Sequence, residues 1–449
     1  MQKDIRGLPI SAAGNEAADA FDQAIENYVK YRADTGELAG KLIAADPNFA
    51  LGHCLKGYLT MLTYKKAYLG GAEACLKAAR AHAANATPRE KRHIDALAAW
   101  HSGAVEETLA IWEAILGEHP TDLLALRLAH FNYFWRGEAG RMRDSLLRTK
   151  GAWSPGMPGF ETWLAMAAFG HEECGDYAEA ERTGRRAVEL DPADLWATHA
   201  VAHVLEMQGR HGEGIAWLEA LQGNWDAANN MRHHLAWHRA LYHLELGEFD
   251  RALQLYDAKI RPLDSPLVKA QPDLYIDIQN AASLLWRLEH LGVAVGERWS
   301  ELGEKAEGRI GDHLQLFTLP HFMMALAASG RWQSAQRMLQ AMREEAAAAT
   351  SPHATILGTI AVPICEAAIA HRKGEHGRVV ELIQPIRDEL WRLGASHAQR
   401  DLFDQLFADS ALIAGRRDVL ASLVPKLMER GRQAPAGRKA YAKAAGFAA

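Results

Sequence analysis

The chain has 449 residues, of which 49% are hydrophobic and 24% charged, so it can bury a large core and exceeds one small domain. Its formal net charge of −6 argues against a nucleic-acid partner, because a nucleic-acid-binding surface normally carries a basic stripe. Its four cysteines are far apart in the sequence, which indicates buried thiols rather than a disulfide framework or a structural zinc site.

The sequence predicts no membrane-spanning segment. Its most apolar stretch, Ala354–Ala370, is interrupted by Pro363 and Glu366, which leaves it too short and too broken to cross a bilayer. Residues 1–18 carry charges and no apolar run, so no secretory signal is expected. We therefore expect a soluble, cytoplasmic protein without a membrane partner.

In chain order, the pattern predicts five segments, most of them helical. Residues 1–46 contain two helical patterns, at about 16–31 and 37–45, and are predicted to form an N-terminal cap. The later segments are tetratricopeptide-like repeats at 47–260, an irregular helical insertion at 261–310, further helix pairs at 311–430 and a frayed tail at 431–449. Within the insertion, a proline-rich linker is followed by helices at 273–290 and 298–309.

Internal repeats are indicated by glycines that lie between apolar helical patterns. The steps from Gly103 to Gly137 and from Gly175 to Gly209 are both 34 residues, which is the tetratricopeptide period. The same position recurs at Gly247, Gly330, Gly374 and Gly415. Glycine suits the turn between two antiparallel helices because it adopts a left-handed backbone without steric cost. The predicted fold is all-α, a right-handed superhelical α-solenoid of tetratricopeptide-like helix pairs.

The stretch Leu195–Gly209 is the main candidate for a functional site. As a helix, it places His199, His203 and Glu206 along one face, with Trp196 one turn before them. The first helix of each pair lines the concave side of a solenoid, so this face is expected to line a groove.

The chemistry of this face stays open between three interpretations. His199 and His203 have the spacing by which one helix gives two imidazoles to a divalent metal ion, although alanine follows the first histidine where the metalloprotease signature has glutamate. A metal-free binding or catalytic site would use a histidine as general base, oriented by Glu206. The third interpretation is a structural, hydrogen-bonded polar cluster in the groove wall.

Further candidates lie on other predicted helices. His234 and His238 repeat the i, i+4 spacing on the next first helix, so they are expected to approach the Leu195–Gly209 face. Arg400 could clamp an anion, but Ser396 beside it also fits a plain helix N-cap with a solvated or salt-bridged arginine. The predicted ligand-binding residues are Trp196, His234, Trp237, His238, Asn280, His321, His397 and Arg400.

Several segments together resemble the tetratricopeptide-repeat protein 38 family, over nearly the whole chain. They are Asp-Ile-Arg-Gly-Leu-Pro-Ile-Ser at 4–11, Thr-His-Ala-Val-Ala-His-Val-Leu-Glu-Met at 198–207, His-His-Leu-Ala-Trp-His-Arg-Ala-Leu at 233–241, Asp277–Leu288, and Ser-His-Ala-Gln-Arg-Asp at 396–401. The resemblance implies an all-helical, repeat-built protein in which the histidine-bearing segments meet. It implies no defined activity.

Two function classes follow from this pattern. The first is a tetratricopeptide-repeat protein that binds a peptide, a partner protein or a small-molecule ligand in a histidine- and tryptophan-rich concave groove. The alternative is a small-molecule enzyme, hydrolase- or lyase-like, in which His199, His203 and Glu206 perform acid–base chemistry, with or without a divalent metal. The sequence leaves enzymatic activity, cofactor, ligand and oligomeric state undecided.

Overall fold

A computed structural model gives the fold of this chain and describes residues 2–428 and 432–448. The chain divides into two compact units. The first comprises Met1–Phe134, Glu138–Val201 and Gly223–Met231, and the second comprises Trp135–Gly137, Ala202–Gln222 and Arg232–Ala449. Each unit is described by itself below.

The first unit begins with a short antiparallel strand pair, β1 (Gln2–Lys3) and β2 (Pro9–Ile10), which the sequence analysis did not predict. Its helices are α1 (Asn15–Val29), α2 (Thr35–Ala45), α3 (Ala50–Met61), α4 (Leu69–Ala81), α5 (Pro88–His101), α6 (Val105–Glu118), α7 (Leu123–Trp135), α8 (Ala139–Thr149), α9 (Phe160–Glu173), α10 (Tyr177–Leu190) and the first part of α11 (Leu195–Met207). Short 3₁₀ turns lie at Lys66–Tyr68, Ala83–Asn85 and Lys150–Ala152.

The second unit contains the remaining helices. They are α12 (His211–Leu221), α13 (Met231–Leu246), α14 (Phe249–Leu255), α15 (Pro266–Ala270), α16 (Tyr275–His290), α17 (Arg298–Glu307), α18 (Thr318–Ala328), α19 (Trp332–Ala348), α20 (Pro352–Ile356), α21 (Val362–Arg372), α22 (His376–Ile383), α23 (His397–Ile413), α24 (Arg417–Leu427) and α25 (Ala442–Ala448). Single π-helical turns occupy Tyr256–Ile260 and Leu357–Ala361, and 3₁₀ turns lie at Arg387–Leu393 and Pro435–Gly437.

The predicted turn glycines are confirmed by their backbone geometry. All eight have a positive φ, between 69° and 83°, and each follows one helix and precedes the next. At Gly137 the requirement is strongest, because an added Cβ would lie 2.0 Å from the carbonyl oxygen of Trp391. Helices joined by such turns pack against each other, as α5 does on α6, α9 on α10 and α21 on α22. The all-α class built from tetratricopeptide-like helix pairs is therefore confirmed.

The local sequence explains why these segments become helices. At the start of α5, the Thr87 side chain accepts from the backbone of Glu90 while Glu90 accepts from the backbone of Thr87, which is a capping box. In α10, alanine, tyrosine and valine recur on one face and are buried, whereas arginine and glutamate cover the other. Burial of one apolar face per helix builds a core between the paired helices of each unit.

The C-terminal segment differs from its prediction. Residues 431–449 were expected to be frayed, but within the described part of this tail Ala442–Ala448 forms α25, which packs on α23 and α24. Tyr441, just before α25, is fully buried within the second unit. Gly431 and Ala449 lie outside the described residues. In the predicted insertion, the two long helices are confirmed as α16 and α17.

The apolar stretch predicted to be broken is instead continuous. Pro352–Arg372 is a helix of 21 residues, long and apolar enough to cross a membrane by length and composition alone, and 61% of its most apolar window is buried. The π turn at Leu357–Ala361 explains the difference, because Pro363 follows the wider turn by two residues and lies in the first turn of α21. The helix packs on α18, α19 and α22, which is the environment of a core helix.

Candidate functional site

Helix α11 starts at a buried aspartate. Asp194 accepts a hydrogen bond from the backbone amide of Ala197 at 2.9 Å and so caps the first turn. Burial raises the pKa of Asp194 to about 7, although backbone hydrogen bonds and Arg127 oppose the effect. From this start, the helix carries Trp196 and His199 in the first unit and His203 and Glu206 in the second.

In the first unit, Trp196 and His199 belong to an aromatic core. The indole of Trp196 donates to His130 Nε2 at 3.1 Å, and its ring lies 4.6 Å from that of Phe169. The His199 ring stacks on Phe169 at 5.1 Å. The Arg127 guanidinium lies 4.6 Å from the Trp196 ring and donates to the Tyr31 hydroxyl. These contacts are the packing of a buried core.

In the second unit, three histidines from α11 and α13 meet. His203, His234 and His238 each place a ring nitrogen within 4.8 Å of the others. The His238 ring lies 4.5 Å from that of His203 and 4.8 Å from that of His234. The predicted approach of the two histidine-bearing helices is therefore observed within this unit.

Two of these rings are fixed from outside the cluster. Nδ1 of His234 donates to the Asn280 side-chain oxygen at 2.8 Å, and Nδ1 of His238 donates to the Glu206 carboxylate at 2.7 Å. A neutral imidazole protonated at Nδ1 carries its lone pair on Nε2, so both rings have the tautomer of a metal-binding histidine held by an outer acceptor.

The titration behaviour of the cluster follows from its burial. Burial and the neighbouring His238 lower the pKa of His234 to about 3, and burial and Arg287 lower the pKa of His238 to about 3. Burial also lowers the pKa of His203 well below its usual range. Burial raises the pKa of Glu206 to about 7, against the attraction of Arg287. Neutral imidazoles are therefore expected at pH 7.

The cluster does not line an open groove, which corrects the sequence-based expectation. His199, His203, His234, Trp237 and His238 are all buried. Neighbouring helices account for the difference, because α16 supplies hydrogen-bond partners to α13, such as Ser283 to the Trp237 indole at 2.9 Å. The predicted binding or catalytic roles of these residues remain predictions.

Glu206 lines a cavity in the second unit. A cavity of about 30 Å³ in the second unit is lined by Glu206, Glu245, Arg287, Asp401 and Arg438, among others. Its volume holds about two or three water molecules, at roughly 10–15 Å³ each. We call the cavity and these five side chains the acidic recess.

The acidic recess is occupied by the chain's own C-terminal segment. Arg438 donates to both carboxylate oxygens of Asp401, at 2.9 and 2.7 Å, and also contacts Glu245 at 3.3 Å. Tyr441, three residues later, donates to Asp401 at 2.8 Å, and its ring lies 4.9 Å from the Arg438 guanidinium. Burial would raise the pKa of Asp401, but Arg438 and Arg287 outweigh it and hold that pKa well below its usual range.

The other predicted residues lie in separate environments. His321 donates to the carbonyl of Phe317 at 2.9 Å inside the core, and burial lowers its pKa to about 3. Arg400 donates to the carbonyls of Gly394 and Ala395, and His397 accepts from Arg432 at 2.7 Å. These contacts do not form the predicted anion clamp. The N-cap interpretation is confirmed, because the Ser396 side chain accepts from the Gln399 amide.

A second polar cluster was missed by the sequence analysis. His290, His371, His376 and Asp409 surround a pocket of about 510 Å³ in the second unit. Its members come from four helices, so no spacing in the sequence joins them; the one local signal is the pair His371 and His376 on either side of the turn at Gly374.

No protein-family model matches the chain. Among solved structures, a human IFIT1 dimer with PPP-AAAA is similar at 13% identity, covering 95% of this chain and 100% of that chain, with a TM-score of 0.43. Yeast Tom70 is similar at 11% identity, covering 96% and 86%, with a TM-score of 0.38. A chain from the structure of Naa15/Naa10 bound to HypK-THB has 12% identity and a TM-score of 0.26, covering 92% of this chain.

These similarities are distant, so the fold class is assigned from the helix pairs that the structure shows. This chain spans 64% of the length of the matched Naa15/Naa10 chain. The exclusion of nucleic acid that was made from net charge remains a prediction. What these proteins bind is a property of those proteins.

Proposed function

We propose that this chain is a tetratricopeptide-type binding protein that takes an arginine-bearing segment of a partner protein in the acidic recess. The observation that carries the proposal is the seating of its own C-terminal segment there, with Arg438 held by two hydrogen bonds to Asp401. A guanidinium matches a carboxylate in this two-pronged geometry better than an ammonium does.

The chemistry of the recess defines the partner. Once the C-terminal segment with Arg438 leaves, Glu206, Glu245 and Asp401 face Arg287 alone among the five named side chains, so the recess attracts a cation and repels a phosphate backbone. Tyr441 lies three residues after Arg438, in the turn before α25, and donates to the same carboxylate. A partner segment is therefore expected to present an arginine followed three residues later by a tyrosine. This chemistry favours a protein partner over a nucleic acid.

The resemblance to the tetratricopeptide-repeat protein 38 family is consistent with this proposal. Two of the resembling segments, 198–207 and 396–401, contribute Glu206 and Asp401 to the acidic recess. We propose membership of that family on the basis of these segments.

The test is a competition between the tethered segment and a free copy of it. A fluorescent peptide with the sequence of residues 432–448 is titrated into the full-length chain and into its Arg438→Ala variant. The tethered segment acts at an effective concentration on the order of millimolar, so it masks the recess in the wild-type chain. Weakening its anchor should lower the apparent Kd of the peptide by roughly 30-fold or more.

Two matched changes make the result specific. Adding Asp401→Asn to the Arg438→Ala chain should abolish the gain, because the carboxylate that receives the guanidinium is lost. A peptide with alanine in place of the residue equivalent to Arg438 should bind neither chain. Equal peptide affinity for the wild-type and Arg438→Ala chains would refute the proposal, as would binding that ignores Asp401.

The enzymatic alternative has one observation in its favour. Glu206 lines the recess and also accepts from His238 at 2.7 Å, which links a carboxyl group of raised pKa to the histidine cluster. A cavity of about 30 Å³ does not hold a substrate, so turnover would require the C-terminal segment to leave. Activity that appears in Arg438→Ala and disappears on adding Glu206→Gln would support this alternative.

A further inference from the structure

The aromatic-walled pocket of the second unit is separate from the acidic recess. It lies between the ends of α16 and α21, the start of α22, and the helices α17, α18 and α23. Its volume of about 510 Å³ is within the range of small-molecule sites. Trp286, Trp299 and Met324 form apolar walls, and three histidines and an aspartate converge on one side.

The convergent groups are arranged around the Asp409 carboxylate. His371 places Nε2 3.2 Å from one carboxylate oxygen, and His290 places Nδ1 3.3 Å from the other. His376 lies beside them, with its ring 5.3 Å from that of His371. One ligand atom from each of His371, His376 and Asp409 falls within 4.8 Å of the other two.

We propose that His371, His376 and Asp409 bind a divalent first-row transition-metal ion in this pocket. Two imidazoles and one carboxylate with open positions form a recognised ligand set for such ions, whereas Mg²⁺ and Ca²⁺ prefer oxygen ligands. The separation of 3.2 Å between His371 Nε2 and the Asp409 oxygen fits neighbouring ligands of an octahedral ion, which are about 3.0 Å apart for bonds of about 2.1 Å.

Side chains outside the three ligands hold them in place. His290 places Nδ1 3.3 Å from the oxygen of Asp409 that is turned away from His371, and its Nε2 lies 3.3 Å from the Ala440 carbonyl. A doubly protonated His290 ring would donate to both, which leaves the other Asp409 oxygen for the ion. The His290 ring is itself stacked on Trp286, with ring centroids 5.2 Å apart and planes 10° apart. Nδ1 of His376 lies 3.3 Å from the Ser410 hydroxyl, so its Nε2 can coordinate. Such outer partners orient metal-binding histidines and carboxylates.

The pocket gives the ion a role beyond holding the fold. Three protein ligands leave coordination positions for water or for a ligand group. These positions face a volume walled by two indoles, so the site suits a small molecule that has an aromatic or apolar body and a metal-binding oxygen or nitrogen. The three proposed ligands do not line the acidic recess, although the outer partner His290 also contacts the Ala440 carbonyl of the C-terminal segment.

The experiment uses the full-length chain, freed of metal with a chelator and titrated with Co²⁺. Calorimetry and the visible absorption of Co²⁺ should report one ion per chain. His371→Ala, His376→Ala and Asp409→Asn should each weaken Co²⁺ binding at least 100-fold, and His290→Gln should weaken it about 10- to 100-fold. His119→Ala, a half-buried histidine of the first unit, is the matched control and should bind Co²⁺ as the wild type does.

The outcomes separate this site from the buried histidine cluster. Far-UV circular dichroism checks that each variant is folded, and Asp409→Asn keeps the side-chain shape if the alanine variants do not fold. Unchanged Co²⁺ affinity in folded Asp409→Asn and His371→Ala would overturn the proposal. Loss of binding in a folded His234→Asn chain, with retention in His371→Ala, would instead assign the ion to the cluster of His203, His234 and His238.

Discussion

Removing the Arg438 guanidinium should release the C-terminal segment from the second unit without unfolding that unit. Arg438→Met keeps the aliphatic stem and deletes three charged contacts, two to Asp401 and one to Glu245. The Arg438 side chain is 22% exposed and that of Asp401 is 12% exposed, so the pair is neither a surface ion pair nor a sealed one.

The magnitude follows from that intermediate burial. Exposed ion pairs contribute about 0–1 kcal/mol, and breaking a buried pair costs about 3–5 kcal/mol. We therefore expect the free energy for opening residues 433–448 to fall by about 2–3 kcal/mol, which corresponds to roughly 30- to 150-fold faster amide exchange where exchange reports the opening equilibrium.

Hydrogen exchange measured by mass spectrometry resolves the effect by segment. Peptides from α25 should exchange faster in Arg438→Met, while peptides from α5 and α6 in the first unit should keep their wild-type rates. Lys443→Met removes an exposed cation from the same segment and is the matched control, so its exchange should not change. Wild-type protection of α25 in Arg438→Met would show that apolar packing of Tyr441 holds the segment and would refute the electrostatic reasoning.

Three further predictions concern stability. Gly137→Ala should lower the free energy of unfolding by at least about 2 kcal/mol in denaturant titrations, because φ is 69° and the added Cβ would meet the Trp391 carbonyl. Gly117→Ala is the control and should not destabilise the protein, because Gly117 lies on a helix with open space around it. The raised pKa of Glu206 means that the folded state holds the proton more tightly than the unfolded state, so the wild-type chain should lose on the order of 3 kcal/mol of stability as pH rises from about 4.5 to about 7. Glu206→Gln should remove this loss. Parallel pH profiles of stability for the two chains would refute the prediction. The pKa of His234 is about 3 in the folded state, so as pH falls below about 6.5 the unfolded state takes up a proton that the folded state does not, and stability falls. His234→Gln should reduce this loss of stability at acid pH. A melting temperature that drops equally in both chains between pH 7.5 and 4.5 would contradict the prediction.

The sequence predicted the features that depend on local geometry. The turn glycines were found because a short link between antiparallel helices needs a positive φ, and that requirement is visible at each position by itself. The approach of His234 and His238 to the end of α11 was found for a similar reason, since i, i+4 spacing fixes one face of each helix.

The features that were missed depend on contacts distant in sequence. Arg438 and Asp401 are 37 residues apart, and His290 is 119 residues from Asp409. Neither pair follows a helical or strand period, so no pattern in the chain marks it. A basic, glycine-containing tail is typical of a solvent-exposed chain end, so nothing in the sequence indicates that Arg438 is paired with a carboxylate.

The expectation that the clustered histidines line an open groove was wrong, and the physical reason is partly visible in the sequence. A solenoid exposes its concave side only if no other helix of the chain packs against it, and helix propensity does not show whether one does. In the second unit, α16 presents Asn280 and Ser283 to α13, which gives buried imidazole and indole groups the acceptors that water would otherwise provide. Polar residues with mutual partners can therefore be buried, and histidine density alone does not distinguish a groove wall from a core.

Glu206 connects the buried histidine cluster of the second unit to the acidic recess. Its carboxyl group accepts from His238 in the buried cluster and also lines the recess that holds Arg438. Burial is the largest influence on its pKa and opposes the charge, while the guanidinium groups of Arg287 and Arg438 favour it. If the C-terminal segment leaves, Glu206 loses the Arg438 cation, which raises its pKa, but gains contact with water, which lowers it. Burial is the larger of the two influences, so the gain of water dominates. Hydration should therefore lower its pKa toward the ordinary range, so that occupation of the recess controls the charge beside His238.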